Sequence, residues 1–397
     1  MVLNTGNNDS YQKEIESALK KIAKEFPAFR EALWFLHQAG NRLCDFSAGK
    51  KKVYVLGTSL PNEIFQVFGT LPVRLLGGSR KLTEVSDSEL PRDTDPVTRA
   101  AYGYLLQIEN DKELIVIPLV NDSSRKVAYL LKRKGKNVHT VTVPPIKKES
   151  TVVEWKRQME LLAERLSVYT GKGYSERKLK KAGKMAAEAK KQLRIFELLA
   201  GKHQSEISSI FRMFLPFSYY LADDYAVWAE RLFILNKKLA RLQEDTGTGA
   251  AQVLLIGSPI YFPNYKVPYL LQEAGISFAG NFIVSDIEKP YDGKKGFDDL
   301  CRKSFVNDSS AAYVRNDTLY IKVSRYLKEH TVNGVVCHVL KGHIEYDFEL
   351  ERFERLFSQY DIPVIRLETD YSNQDVEQLR LRIEAFSEML HQKGRIG

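Results

Sequence analysis

Short β-branched runs that stop at a glycine or a polar loop, each followed by residues at helical spacing, recur in two separate stretches of this chain. The first stretch holds VYVLG (53–57), LPVRLLGG (71–78), ELIVIPLV (113–120) and NVHTVTVPP (137–145). The second holds QVLLIGSP (252–259), ISFAGNFIVSD (276–286), NGVVCHVL (333–340) and DIPVIRLE (361–368). Strands separated by helices pair in parallel, because a helical crossover returns the chain to the same end of the sheet. Both stretches therefore predict mostly parallel sheets covered by helices. Pro61 suits the first turn of a helix after Gly57, and Asn121 to Ser124 forms a polar loop between a strand from Leu114 and a helix from Arg125. In such folds ligands gather in the loops beyond the carboxyl ends of the strands.

Outside the two stretches the pattern is helical. Residues 10–43 place Ile15, Leu19, Ile22, Phe26, Leu33 and Leu36 at helical spacing around Pro27, which predicts a cap of two short helices. From about 150 to 245, STVVEWKRQMELLAERLSVYTG and SERKLKKAGKMAAEAKKQLRIFELLAG predict long helices. The last helix is expected to be capped by Ser372, with Val376, Leu379, Ile383, Phe386 and Leu390 as its apolar face. The expected class is α/β, with two doubly wound, Rossmann-like domains facing one another across a cleft. The corresponding division is an N-terminal helical cap (1–48), a first α/β domain (49–150), a helical segment (151–248) and a second α/β domain (249–397).

Three cysteines, Cys44, Cys301 and Cys337, are widely separated and odd in number, which argues against a disulfide framework and against a CxxC metal site. Free, buried thiols are expected. No apolar run reaches the roughly 18 residues needed to cross a bilayer, and MVLNTGNNDS lacks a signal-peptide layout, so a cytoplasmic protein without a membrane partner is expected. The net charge of +9 admits a nucleic acid, a membrane surface or a polyanion such as coenzyme A. The Lys-rich KLKKAGKMAAEAKK is interleaved with Ala and Glu and reads as a solvated helix face, which leaves nucleic acid the weakest of these.

The segment VLLIGSPIYFPNYKVPYLLQEAGI (253–276) joins a buried strand, a Gly257-Ser258-Pro259 turn, an aromatic loop holding Asn264 and Lys266, and a helix begun at Pro268. On spacing alone it is a strand-to-helix connection of any α/β protein. Its letters resemble a signature of the 2-hydroxyacyl-CoA dehydratase and benzoyl-CoA reductase family, GSP followed by N-x-K-x-P and E-x-G. VYVLGTSLPNEIFQVFGTLPVRLLGG (53–78), DPVTRAAYGYLL (95–106) with IPLVNDSSRKVAYLL (117–131), and IPVIRLETDYSNQDVEQLRLRIEAFSEML (362–390) are similar to further segments of that family, in the same order. The resemblance, closest to a 2-hydroxyglutaryl-CoA dehydratase D-component type subunit, covers nearly the whole chain.

The resemblance implies a radical lyase or reductase of anaerobic metabolism. An ATP-dependent activator protein supplies one low-potential electron, and a four-iron four-sulfur cluster held by three cysteine thiolates passes it to an acyl-CoA thioester. Here the chain departs from the family, because the three cysteine positions fall on Asp95, Asn121 and His343. The expectation is a subunit that binds no cluster itself and works in a heterodimer with a homologous subunit that does. Glu63, where the family carries an acid, and Ser258 are the catalytic candidates. Arg74, Lys126, Asn264 and Lys266 are candidates for binding the acyl-CoA. Two alternatives stand beside this reading: an independent enzyme that reuses Asp95, Asn121 and His343 as a metal or acid-base site, and a basic interaction protein or nucleic-acid binder.

Overall fold

A computed structural model describes residues 5–25, 30–44, 49–244, 250–282, 291–311, 313–314 and 316–396. Two helices, α1 (Thr5–Ala23) and α2 (Arg30–Cys44), lead into β1 (Lys52–Leu56), α3 (Asn62–Val67), β2 (Leu71–Leu75), α4 (Arg80–Ser86), α5 (Pro96–Leu106), β3 (Leu114–Leu119), α6 (Asp122–Arg133) and β4 (Val138–Thr142). Next come α7 (Glu149–Thr170), α8 (Glu176–Lys202), α9 (Ser209–Tyr220) and α10 (Tyr225–Leu239). The second half runs β5 (Ala251–Gly257), α11 (Lys266–Glu273), β6 (Ile276–Asn281), α12 (Phe297–Val306), α13 (Asp317–Glu329), β7 (Gly334–Leu340), α14 (Ile344–Ser358), β8 (Val364–Thr369) and α15 (Val376–Ile396).

The α/β class is as expected, and among the described residues both sheets are wholly parallel. Their orders, β2-β1-β3-β4 and β6-β5-β7-β8, are the same arrangement built twice. In each sheet the chain reverses direction between the two central strands, and at such a switch point the loops part to opposite faces and leave a crevice. The central strands read VYVL, LIVIPL, VLLI and GVVCHVL because both of their faces are covered.

The middle helices share the cores of the two sheets. From α7, Trp155, Met159, Leu162 and Leu166 cover Val53, Val55, Leu114 and Val116, and α12 reaches back from the second half to add Cys301 and Phe305. Helices α8 to α10 join α1, α2, α11 and α15 around one face of the second sheet, where Phe214, Trp228 and Phe262 are fully buried. The other faces pack against α5 and α6 in the first half and α13 and α14 in the second.

Several boundaries differ from the expected ones for local reasons. Pro61 stands at the cap of α3, one residue before its first turn. Helix α6 starts at Asp122 because the Asn121 side chain caps it, and α11 starts at Lys266, ahead of Pro268. Ser372 is not a helix cap, since α15 begins at Val376 and Asp375 lies immediately before it, although Leu379, Ile383, Phe386 and Leu390 are buried as expected. Leu33 is 38% exposed, because the buried phase of α2 runs through Ala32, Phe35, Leu36, Ala39 and Leu43. Phe26, Pro27 and residues 283–290 lie outside the described residues.

Gly257 closes β5 with φ 111°, and a Cβ there would stand 2.0 Å from the His338 carbonyl oxygen of β7. That close approach lets Ser258 N–H donate to the same oxygen at 2.7 Å and turns the chain out of the sheet. Gly135, at φ 77°, has open space around it. Gly135→Ala is therefore expected to cost about 1 kcal/mol of backbone strain, and Gly257→Ala more than about 3 kcal/mol because a backbone clash is added, measured by urea denaturation.

Candidate functional site

The loops at the carboxyl ends of both sheets meet, and three helix starts converge there. Asp95 caps α5, its Oδ1 accepting Thr98 N–H at 2.7 Å, with Pro96 preset for the first turn. Asn121 caps α6, accepting Ser124 N–H at 2.9 Å while Ser124 Oγ accepts the Asn121 N–H at 3.1 Å. His343 is the residue before α14, placed by Gly342 at φ 87°, where a Cβ would come within 2.4 Å of the Asp93 carbonyl oxygen. All three line one cavity of about 120 Å³ between the sheets, together with Gly57 to Ser59 and Gly257. A second recess of about 740 Å³, lined by Phe348 and Arg352, shares Val120, Asn121 and Glu345 with it.

Across this cavity the two halves are joined by hydrogen bonds. His343 Nε2 lies 3.2 Å from Asp95 Oδ1, and its Nδ1 lies 3.2 Å from Ser258 Oγ. Asn121 Nδ2 donates to Glu345 Oε1 at 3.2 Å. Burial opposes charge on the His343 ring, but Asp95 outweighs it and holds the imidazole above its ordinary pKa. Burial likewise opposes the Asp95 carboxylate, and His343 with the Thr98 N–H holds it below the usual range. The result is a buried ion pair. Beneath it His338 is pushed down to about 4 by burial, and its neutral ring donates Nδ1–H to the Ser258 carbonyl at 2.8 Å.

These groups do not suit an iron-sulfur cluster. Such clusters take soft thiolates, whereas the three positions carry a carboxylate, an amide and an imidazole already bonded to one another or to the protein. Among the described residues no group of three or more His, Cys, Asp or Glu side chains is placed to hold a metal ion. Cys301 and Cys337 are buried and Cys44 half-buried, on α12, β7 and the end of α2.

Residues 58–390 match the family described as 2-hydroxyglutaryl-CoA dehydratase, D-component. The chain belongs to that family. No curated protein matches it. Family membership supports a place in a multi-subunit complex of the 2-hydroxyacyl-CoA dehydratase type. No described helix is long and apolar enough to cross a membrane.

Set in this family's fold, the other candidates fall into distinct places. Ser258 is fully buried behind the cavity wall, and its Oγ accepts Leu340 N–H at 3.0 Å. The string Ser258, His343, Asp95 has the composition of a nucleophilic relay, but a sealed serine braces the imidazole and does not meet substrate. Glu63, 3% exposed in the first turn of α3, lines a separate recess of about 40 Å³ that shares Thr58, Ser59 and Tyr220 with the main cavity.

Arg74 and Lys266, expected to meet coenzyme A, are consumed internally. The buried Arg74 donates to Gly57 O at 3.1 Å, Leu60 O at 2.5 Å and Asn62 Oδ1 at 2.8 Å, which fixes the loop between β1 and α3. Lys266 Nζ donates to Asp370 O, Ser372 O and Asp375 Oδ1 at 3.0, 2.7 and 2.5 Å, pinning the loop before α15. Lys126 is exposed on α6 and Asn264 is half-buried in the aromatic loop, and neither lines the cavity. Sequence reasoning missed Glu345, Tyr346 and Tyr261, which do line it. Glu345 was legible as an acid two residues past His343 in a helix's first turn.

Removing one partner of a buried pair leaves the other charge unmatched, so His343→Ala is expected to cost about 3 kcal/mol. The His343 share is full below its unfolded pKa and is lost as pH rises through its raised folded value. The Asp95 share is full above its unfolded pKa and is lost as pH falls through its lowered folded value. The stability difference between wild type and His343→Ala, from urea denaturation across pH, is expected to be largest between about pH 4 and about pH 6.5. Lys266→Met leaves Asp375 without its cation and is expected to lower stability by about 2 kcal/mol, read from the same denaturation curves.

Proposed function

We propose that this chain is the cluster-less subunit of a radical 2-hydroxyacyl-CoA dehydratase or acyl-CoA reductase. Its partner is a homologous subunit that carries the four-iron four-sulfur cluster, and an ATP-dependent activator protein delivers the electron to that cluster. The complex acts in the cytoplasm, in anaerobic metabolism. The observation that carries this reading is the cavity itself. The positions that resemble the family's three cysteines converge on it, yet Asp95 and His343 are spent on each other and Asn121 on its own helix and Glu345. The cavity is thus preserved as a space while its ligand set is that of a hydrogen-bonded brace. Its contribution to the complex is to hold the subunit's shape and to shelter part of a thioester substrate from water.

Anaerobic expression of the chain alone, and together with a cysteine-bearing homologous subunit, tests this. Iron and acid-labile sulfide analysis is expected to find far less than one cluster in the isolated chain and a brown, stoichiometric complex after co-expression. A full cluster in the isolated chain would overturn the reading.

A further inference from the structure

A recess of about 760 Å³ lies at the edge of the second sheet, where β6 is flanked by α8, α9 and α13. Small-molecule sites commonly measure about 300 to 1,000 Å³. Phe278, Phe282, Leu319, Tyr326, Leu198 and Pro216 supply its apolar wall. Gly280 leaves β6 bare where a Cβ would come within 2.8 Å of the Tyr326 ring. That ring lies against the strand, its hydroxyl donating to Ala279 O and its face stacked on His330 at 4.0 Å between centroids. The aromatic part of the wall is thus held in place by the protein's own contacts. Among the described residues four cations, Arg194, Lys202, Arg212 and Lys322, and two acids, Glu197 and Glu329, line the same recess. Lys202 pairs with Glu244, and Glu197 stands 3.8 Å from the Arg212 guanidinium. Lys322 is half-buried on α13 and has no ion pair among the described residues. Cationic heads beside an apolar wall complement a ligand with an anionic head and an apolar body, and oppose an ammonium of the same shape.

We infer that this recess is a second ligand site, for a free medium-chain monocarboxylate whose chain lies on the apolar wall and whose carboxylate is drawn to Arg212 and Lys322. It does not depend on what the cavity between the sheets holds. The two spaces share Phe282, Ser309 and Leu319, so a ligand in the recess borders one wall of that cavity.

Calorimetric titration of the full chain with octanoate, butanoate and octylammonium tests this. Octanoate is expected to bind about tenfold tighter than butanoate, which lacks four methylenes of apolar contact, and about tenfold tighter than octylammonium, which brings the wrong charge. Arg212 also donates to Phe278 O at 2.7 Å and so ties α9 to β6, which makes positions that leave this bond intact the better probes. Leu198, 67% exposed on α8, and Lys322 are such positions. Leu198→Asp, which removes apolar contact and adds a like charge, is expected to weaken octanoate about tenfold, and Lys322→Gln about threefold, with urea denaturation unchanged for both. No octanoate binding at millimolar concentration overturns the inference. Equal binding of octanoate and octylammonium overturns the anionic head, and octanoate binding untouched by both substitutions overturns the location. Displacement of octanoate by free coenzyme A overturns the separateness of the site. None of these outcomes bears on the iron and sulfide content that tests the proposed function.

Discussion

The contact between Asp95 and His343 joins a helix start of the first half to a loop of the second, and it does so with charge in a place sealed from water. A buried ion pair is stable only when both members find each other and further hydrogen bonds hold them in place, so this contact constrains what surrounds it. Thr98 N–H and Ser258 Oγ supply two of those further bonds. Gly342 lets the backbone of the β7–α14 loop lie against Asp93 and Asp95, and Gly257 lets Ser258 turn back beneath the imidazole. A side chain at either glycine would hold the halves apart or move the serine.

Around this contact the molecule repeats one plan twice. Each sheet reverses direction between its two central strands, and the loops at the two switch points face one another. Asn121 and His343 occupy matching places, each before the helix that follows the third strand of its sheet. A cavity ringed by helix starts favours an anion. Here the chain supplies its own acids, Asp95 and Glu345, to those positive ends, and one imidazole balances them.

Much of this arrangement was legible as pattern. Eight apolar runs marked eight strands, and their alternation with helices dictated parallel pairing. The helical middle was visible, but its sharing between sheets was not. Trp155 and Met159 read only as an apolar helix face, and nothing local says that this face belongs to β1 and β3. Asp95, Asn121 and His343 do come together at one cavity, because each stands immediately before a helix whose start faces it. Arg74 and Lys266 misled for one reason. A basic residue beside a strand-end loop looks the same in sequence whether its charge faces solvent or is spent on backbone carbonyls. The outcome depends on which oxygens the fold brings within about 3 Å, a distance that spacing does not encode.

By itself the sequence determined the class of fold, the parallel direction of the strands and the family, since each follows from residue identity and near-neighbour periodicity. Only the tertiary structure decided that Asp95 and His343 bond to one another, that Ser258 stands behind the wall and that Glu63 opens onto a different recess. Those facts depend on segments up to 248 residues apart in the chain, Asp95 and His343 being numbered 95 and 343. Hydrogen bonds and burial act over a few ångströms in space, and their distance along the chain carries no signal until the chain has closed.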